Sequence, residues 1–97
     1  MKMVYCIFNV SVAEEMRKIL DKVDAQNYQI IDNVLAKTEN SDPRFNTPVW
    51  PGFDRVATIQ MEEISELVAE IKAYNSSEED ANEQILVYAW DIEKLDV

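Results

Sequence analysis

The fold is decided by residues 3–14, which are Met-Val-Tyr-Cys-Ile-Phe-Asn-Val-Ser-Val-Ala-Glu. The first eight of them are mostly β-branched, aromatic or otherwise apolar, and they predict a strand over 3–10. Ser11 and Glu14 then have the Ser-x-x-Glu spacing of a capping box, which predicts that a helix begins there at once. Apolar residues follow at helical spacing, with charged residues on the other helix face. The segment therefore predicts a strand that leads directly into an amphipathic helix.

The rest of the chain continues this alternation. The predicted elements are strands at 3–10, 28–37, 55–61 and 84–91 and helices at 11–24 and 62–74. Glu62 and Glu63 are expected in the first turn of the second helix, where its dipole favours anions. The order βαββαβ is that of the ferredoxin-like fold, a four-stranded antiparallel sheet with both helices on one face. We therefore predict an α+β protein, with 1–97 as a single domain.

Both faces of the predicted sheet are rich in apolar side chains. In the first strand one face holds Val4, Cys6, Phe8 and Val10, and the other holds Met3, Tyr5, Ile7 and Asn9. In the last strand Ile85, Val87 and Ala89 alternate with Leu86, Tyr88 and Trp90. Two helices cover only one face of such a sheet, and a large exposed apolar patch is unusual on a monomer. The pattern predicts that copies of the chain associate through the other face.

Composition excludes several classes of function. The chain has 9 basic and 19 acidic residues, and residues 50–97 alone carry a net charge of −9. Such a surface repels nucleic-acid backbones and anionic membranes, so we expect neither as a partner. No apolar stretch is long enough to span a membrane, and the single cysteine, Cys6, fits a cytoplasmic location. The absence of histidine removes the commonest general base, and we predict that the protein is not an enzyme.

The most informative segment is the loop at 38–54. It contains all three prolines, the only glycine, two of the three phenylalanines and one of the two tryptophans. Seventeen residues are too many for an ordinary hairpin connection, and the segment is too aromatic to indicate disorder. Its aromatic side chains predict either a contact patch or packing against the sheet, and its polar ones favour recognition. The predicted ligand- or partner-binding residues are Lys37, Arg44, Asn46, Trp50 and Phe53.

The order of these elements resembles a known family. The opening Met1-Lys2-Met3-Val4-Tyr5-Cys6-Ile7-Phe8, the immediate helix and the strand that feeds a long loop are similar to the nitrogen-regulatory PII-like family, in a divergent bacterial branch. The stretch Val49-Trp50-Pro51-Gly52 also resembles the Trp-x-Gly of CutA-like proteins. The resemblance implies a homotrimer in which the 38–54 loop corresponds to the partner-binding T-loop. It also implies a ligand cleft between subunits, lined by the base of that loop and by residues 75–84.

The chain departs from the family where PII proteins bind nucleotides. The family uses a glycine-rich basic loop that ends in Gly-Lys before the last strand, whereas this chain has Asn82-Glu83-Gln84-Ile85 there. The preceding stretch, 77–80, adds three more acidic residues. Phosphate groups would meet like charge at these positions, which argues against the usual ATP or ADP binding. The loop also lacks a tyrosine that could carry a nucleotidyl group.

These observations predict a non-enzymatic, PII-like homotrimer that acts as a sensor or adaptor through the 38–54 loop, with an unidentified ligand or protein partner. Two alternatives remain open at this stage. One is a CutA-like protein that binds a divalent cation with the acidic groups at 78–83. The other is a small enzyme that works in a dimer cleft, with Tyr5, Tyr88 and Asp91 as acid or base.

Overall fold

The computed structural model describes residues 1–97 and has the predicted order of elements. The strands are β1 (Lys2–Asn9), β2 (Tyr28–Val34), β3 (Asp54–Met61) and β4 (Leu86–Asp91), and the helices are α1 (Ala13–Lys22) and α2 (Ser65–Ser77). Short 3₁₀ helices lie at Val10–Val12 and Ala81–Glu83. The α+β class and the ferredoxin-like βαββαβ arrangement are thereby confirmed.

The four strands form one antiparallel sheet in the order β2-β3-β1-β4. Strands β1 and β3 are central, and Cys6 of β1 lies opposite Ala57 of β3 and Val87 of β4. Strands β2 and β4 are the edges. The loop between β2 and β3 lies at the end of the sheet where β1 ends, since Asp54 pairs with Asn9 and the Val10 amide donates to the Phe53 carbonyl.

The core lies between the sheet and the two helices. Thirteen buried residues form it, among them Val4, Cys6 and Phe8 of β1, Ala57 and Ile59 of β3, Met16 and Leu20 of α1, and Leu67 and Ile71 of α2. Alternation along β1 and β3 and helical spacing along α1 and α2 turn these side chains toward one another. Burial raises the pKa of the Cys6 thiol to about 12, so it stays protonated at neutral pH and packs as a small apolar group.

The predicted capping box at the start of the first helix is wrong. Asn9 caps the preceding 3₁₀ helix instead, because its side-chain oxygen accepts a hydrogen bond from the Ser11 amide at 3.3 Å. The Ser11 hydroxyl donates to the Glu83 carboxylate, which lies far away in the sequence. Val10, predicted to share a strand face with Val4, Cys6 and Phe8, leaves the sheet with this turn and is exposed.

The second helix begins later than predicted. Glu62 and Glu63 precede it rather than occupying its first turn, and it continues to Ser77, three residues beyond the predicted end at 74. The Glu63 carboxylate accepts hydrogen bonds from the Ser65 hydroxyl and, at 2.9 Å, from the Ser65 amide. These hydrogen bonds lower the pKa of Glu63 below its ordinary value. Glu63 therefore supports the helix start from outside it, which moves the boundary.

The face of the sheet without helices, which we call the open face, is apolar along β1 and β4. Tyr5 and Tyr88 are neighbours there, with ring centroids 6.4 Å apart, and Tyr88 and Trp90 are each about half exposed. Ile7 and Val56 are buried on this side and lie outside the helix-side core. The apolar second face predicted from β1 and β4 is present, and the self-association inferred from it stays a prediction. Neither helix has the length and apolarity needed to cross a membrane.

Candidate functional site

The connection between β2 and β3 is an ordered loop made of two smaller closed turns. Ala36 and Arg44 form an antiparallel bridge that closes the first turn, with N–O distances of 3.1 and 2.9 Å. The second turn is closed where the Asn46 amide donates to the Gly52 carbonyl at 3.0 Å. Asn46 and Gly52 both have positive φ, which these residue types tolerate better than most. The loop tip is thus held in place by its own backbone.

A buried ion pair fixes the base of this loop. The Arg44 guanidinium Nε donates to the Asp54 carboxylate Oδ1, and the two side chains are 7% and 0% exposed. Arg44 Nη1 also donates to Ser41 Oγ at 2.9 Å and to the Asp42 carbonyl at 3.2 Å. Asp54 Oδ2 is buried without a hydrogen-bond partner. The predicted recognition residue Arg44 is therefore engaged within the chain, where it joins the loop to the first residue of β3.

Asn82 connects the loop base to the segment before β4. Its side-chain oxygen accepts hydrogen bonds from the Asp42 amide at 2.8 Å and from the Ser41 hydroxyl at 3.0 Å. Asp80 in turn holds the short turn that carries Asn82, since its carboxylate accepts from the Asn82 amide at 2.9 Å. The two segments that the family resemblance implied as cleft walls, 38–54 and 75–84, are thus brought together within one protomer.

Between these segments lies an open cleft of about 490 Å³. Its lining residues are Asn9, Asp42, Pro43, Arg44, Val49, Trp50, Pro51, Gly52, Asp80, Asn82 and Glu83. Three of them are carboxylates, and the one cationic group, Arg44, is neutralised by Asp54. The cleft is therefore acidic, with an aromatic side chain and two amides at its edge.

The predicted site residues are only partly brought together. Arg44 and Trp50 line the cleft, whereas Lys37, Asn46 and Phe53 do not. Lys37 and Asn46 are exposed, and Trp50 is 39% exposed. Phe53 is half-buried, and its carbonyl accepts a hydrogen bond from the Val10 amide at 3.2 Å, so it attaches the loop to the turn after β1.

Three residues that shape the cleft were missed from the sequence. Asp54 carried no clear signal, because the face of β3 that it shares with Val56 continues with Thr58 and Gln60, where a charged residue is expected to be exposed. Asp42 and Asn82 carried none either, because their contact spans 40 residues and depends on how two loops pack.

The residues of the two alternatives do not converge. Tyr5 and Tyr88 lie on the open face, but Asp91 lies on the helix side, where its carboxylate binds the Lys2 ammonium at 2.7 Å. The Lys2 hydrogen bond lowers the pKa of Asp91, which makes it a poor base. The acidic residues at 78–83 do not gather into a group, since no three His, Cys, Asp or Glu side chains are placed to hold a metal ion together.

A scan against protein-family models finds no match, and a search of the curated proteins finds none either. Solved structures do match. CPII from Thiomonas intermedia K12, bound to ADP and bicarbonate, aligns with a TM-score of 0.69 and 15% identity over 94% of this chain and 84% of that one. This chain has the PII-like fold.

Two further structures agree with this assignment. The apo form of CPII, a nitrogen regulatory PII-like protein, gives a TM-score of 0.68 at 15% identity, covering 94% of this chain and 87% of that one. A structure from Thermus thermophilus, described as a PII-like signalling protein, gives 0.54 at 20% identity, covering 92% and 83%. The PII-like resemblance is confirmed at the level of the fold, and the low identities agree with a divergent branch.

Proposed function

We propose that the protein is a homotrimeric, non-enzymatic, PII-like sensor or adaptor that acts in the cytoplasm and binds a small ligand or a protein partner through the 38–54 loop and the adjoining cleft. The observation that carries this proposal is the construction of the loop. Its base is held by a buried ion pair and by Asn82, while its tip faces water. A rigid, exposed element of this kind suits recognition, because little ordering entropy is lost when a partner binds.

The tip presents apolar side chains that the protomer leaves uncovered. Val49 is 74% exposed, Trp50 39% and Phe45 38%. Exposed tryptophan on a preformed surface is typical of residues that dominate binding energy. We propose that Trp50, Asn46 and Lys37 contact the partner.

Arg44 and Phe53 have a different proposed role. The Arg44 side chain is turned inward onto Asp54, and the Phe53 backbone is bonded to Val10, so both residues tie the loop to its surroundings. We therefore assign them to holding the loop in shape for its partner.

Comparative capture tests the role of the tip. Wild-type protein, Trp50→Ala and Leu35→Ala are immobilised and exposed to extract of the source organism. Leu35 is 58% exposed and lies outside the 38–54 loop, so its variant controls for the loss of any exposed apolar side chain. We expect at least one protein to be retained by wild type and by Leu35→Ala but not by Trp50→Ala. Identical retention by all three would argue against the loop as the contact.

Nucleotide binding in the manner of CPII is not expected here. CPII is bound to ADP in its structure, but the cleft of this chain is lined by the carboxylates of Asp42, Asp80 and Glu83, which would repel phosphate groups. Like charges opposed across a binding site cost roughly several kcal/mol and remove most of the affinity. Calorimetric titration with ADP should therefore show no saturable heat up to millimolar concentration. Micromolar ADP binding would contradict this view of the cleft.

The proposed trimer rests on the open face. Its half-exposed Tyr88 and Trp90 are suited to an interface between identical copies, where large aromatic side chains are enriched. In this proposal a neighbouring copy covers the open face and completes the ligand cleft.

A further inference from the structure

A second cavity, of about 270 Å³, lies between α1 and β2 on the helix side of the sheet. Most of its lining residues are apolar or aromatic: Phe8, Ala13, Met16, Leu20, Tyr28 and Ile30. Charged side chains, Glu14, Arg17 and Arg55, complete the lining. The cavity has no lining residue in common with the acidic cleft.

The cavity exists because the helices leave the edge strand β2 uncovered. Tyr28 and Ile30 lie on the helix side of β2, yet they are 40% and 46% exposed. Phe8 and Met16, on the opposite wall, are 2% and 1% exposed. The cavity therefore places a half-exposed apolar wall opposite a buried one, and an apolar body inserted between them would remove the exposed area from water.

Arg55 provides a hydrogen-bonding group at the rim of the cavity. Its Nε lies 2.6 Å from Asp32 Oδ1, and its two Nη groups donate no hydrogen bond within the chain. The Arg55 side chain is only 34% exposed, so packing around its methylene groups and the ion pair with Asp32 restrict where the guanidinium lies. By contrast, Arg17 uses its donors on Glu14 and Asp21. Arg55 thus keeps a planar pair of N–H groups suited to a carboxylate.

We propose that this cavity binds a small carboxylic acid with an apolar or aromatic body. The carboxylate takes the two Nη groups of Arg55, and the body lies between Ile30 and Met16. The volume is close to the lower limit for small-molecule sites, roughly 300 Å³, so the ligand is small. Of the two cationic groups at this rim, Arg17 is paired with Glu14 and Asp21, so Arg55 is the one whose Nη donors are left for a carboxylate.

Nuclear magnetic resonance titration tests the proposal with 3-phenylpropionate and its neutral analogue 3-phenylpropan-1-ol as probes. With ¹⁵N-labelled wild-type protein, we expect saturable shifts of amides in α1, β2 and around Arg55 for the acid. The alcohol is expected to bind about tenfold more weakly or worse, since it lacks the charge that Arg55 recognises. No saturation by the acid at millimolar concentration, or equal binding of acid and alcohol, overturns the proposal. Shifts confined to residues 42–52 and 80–83 also overturn it, because they would place the acid in the acidic cleft.

Two variants test whether Arg55 binds the carboxylate of the ligand. Arg55→Gln should raise the dissociation constant of the acid by about tenfold or more. Lys72→Gln, which removes an equal charge from the exposed side of α2, should leave it unchanged. Should Arg55→Gln fail to fold, Ile30→Gln replaces it, because Ile30 is nearly half exposed and its change weakens only the apolar wall. Binding that is insensitive to Arg55→Gln, or to Ile30→Gln where that variant is used, overturns the proposal.

Discussion

Replacing Asp54 with alanine is expected to lower the free energy of unfolding by about 3–5 kcal/mol, because the change leaves the Arg44 guanidinium buried without its counter-charge. This is a large share of the roughly 5–15 kcal/mol that stabilises a typical domain. Chemical denaturation followed by circular dichroism, at one fixed protein concentration, measures it. Arg44→Met should also destabilise the protein, since it leaves Asp54 as the uncompensated buried charge.

The double variant Arg44→Met/Asp54→Ala distinguishes the cost of an unpaired buried charge from the cost of losing the whole ion pair. With both charges gone, no buried charge is left unpaired, so the double variant should be more stable than Asp54→Ala alone. Lys22→Met provides the control, because the Lys22 side chain is 66% exposed and water screens its ion pair with Glu70. If Asp54→Ala unfolded at the same denaturant concentration as Lys22→Met, the Arg44–Asp54 ion pair would not be what holds the loop base.

Placing a charge on the open face is expected to dissociate the proposed oligomer. Tyr88→Glu puts a carboxylate next to Tyr5, where the proposed neighbouring copy packs. A buried, unpaired carboxylate costs enough to raise the concentration at which the assembly dissociates by about 100-fold or more. Analytical ultracentrifugation of the variant at micromolar concentration should therefore give a protomer of 11.2 kDa.

Val68→Glu is the matched control for this change. Val68 is 42% exposed on α2, so the substitution adds the same charge to an exposed apolar position on the opposite side of the sheet. It should leave the mass of the oligomer unchanged. If Val68→Glu dissociates the protein and Tyr88→Glu does not, the helix side and not the open face forms the interface.

Local pattern was enough to predict the fold. Alternation in β1 and helical spacing in α1 both follow from which side chains face the core, and the core residues of these elements are those that the patterns indicate. Boundaries depended on contacts that no local pattern contains. The Ser11 hydroxyl bonds Glu83, 72 residues away, so the predicted capping box did not form.

The candidate site was predicted less completely, for a related reason. Composition located the loop, because prolines, glycine and aromatic residues concentrate there. It did not distinguish Trp50, which is exposed at the tip, from Arg44, which is buried beneath it. Asp54 sets that distinction, because its carboxylate at the start of β3 binds the Arg44 guanidinium and keeps it buried. The sequence of the loop alone does not show whether such an arginine is buried or exposed.

The most direct test of the account is the mass of the wild-type protein in solution. Sedimentation equilibrium at micromolar concentration and near-physiological salt should give about 34 kDa, three times the 11.2 kDa of one chain. A single, well-behaved species at 11.2 kDa would contradict the account, because the open face would then face water and no cleft between copies would form.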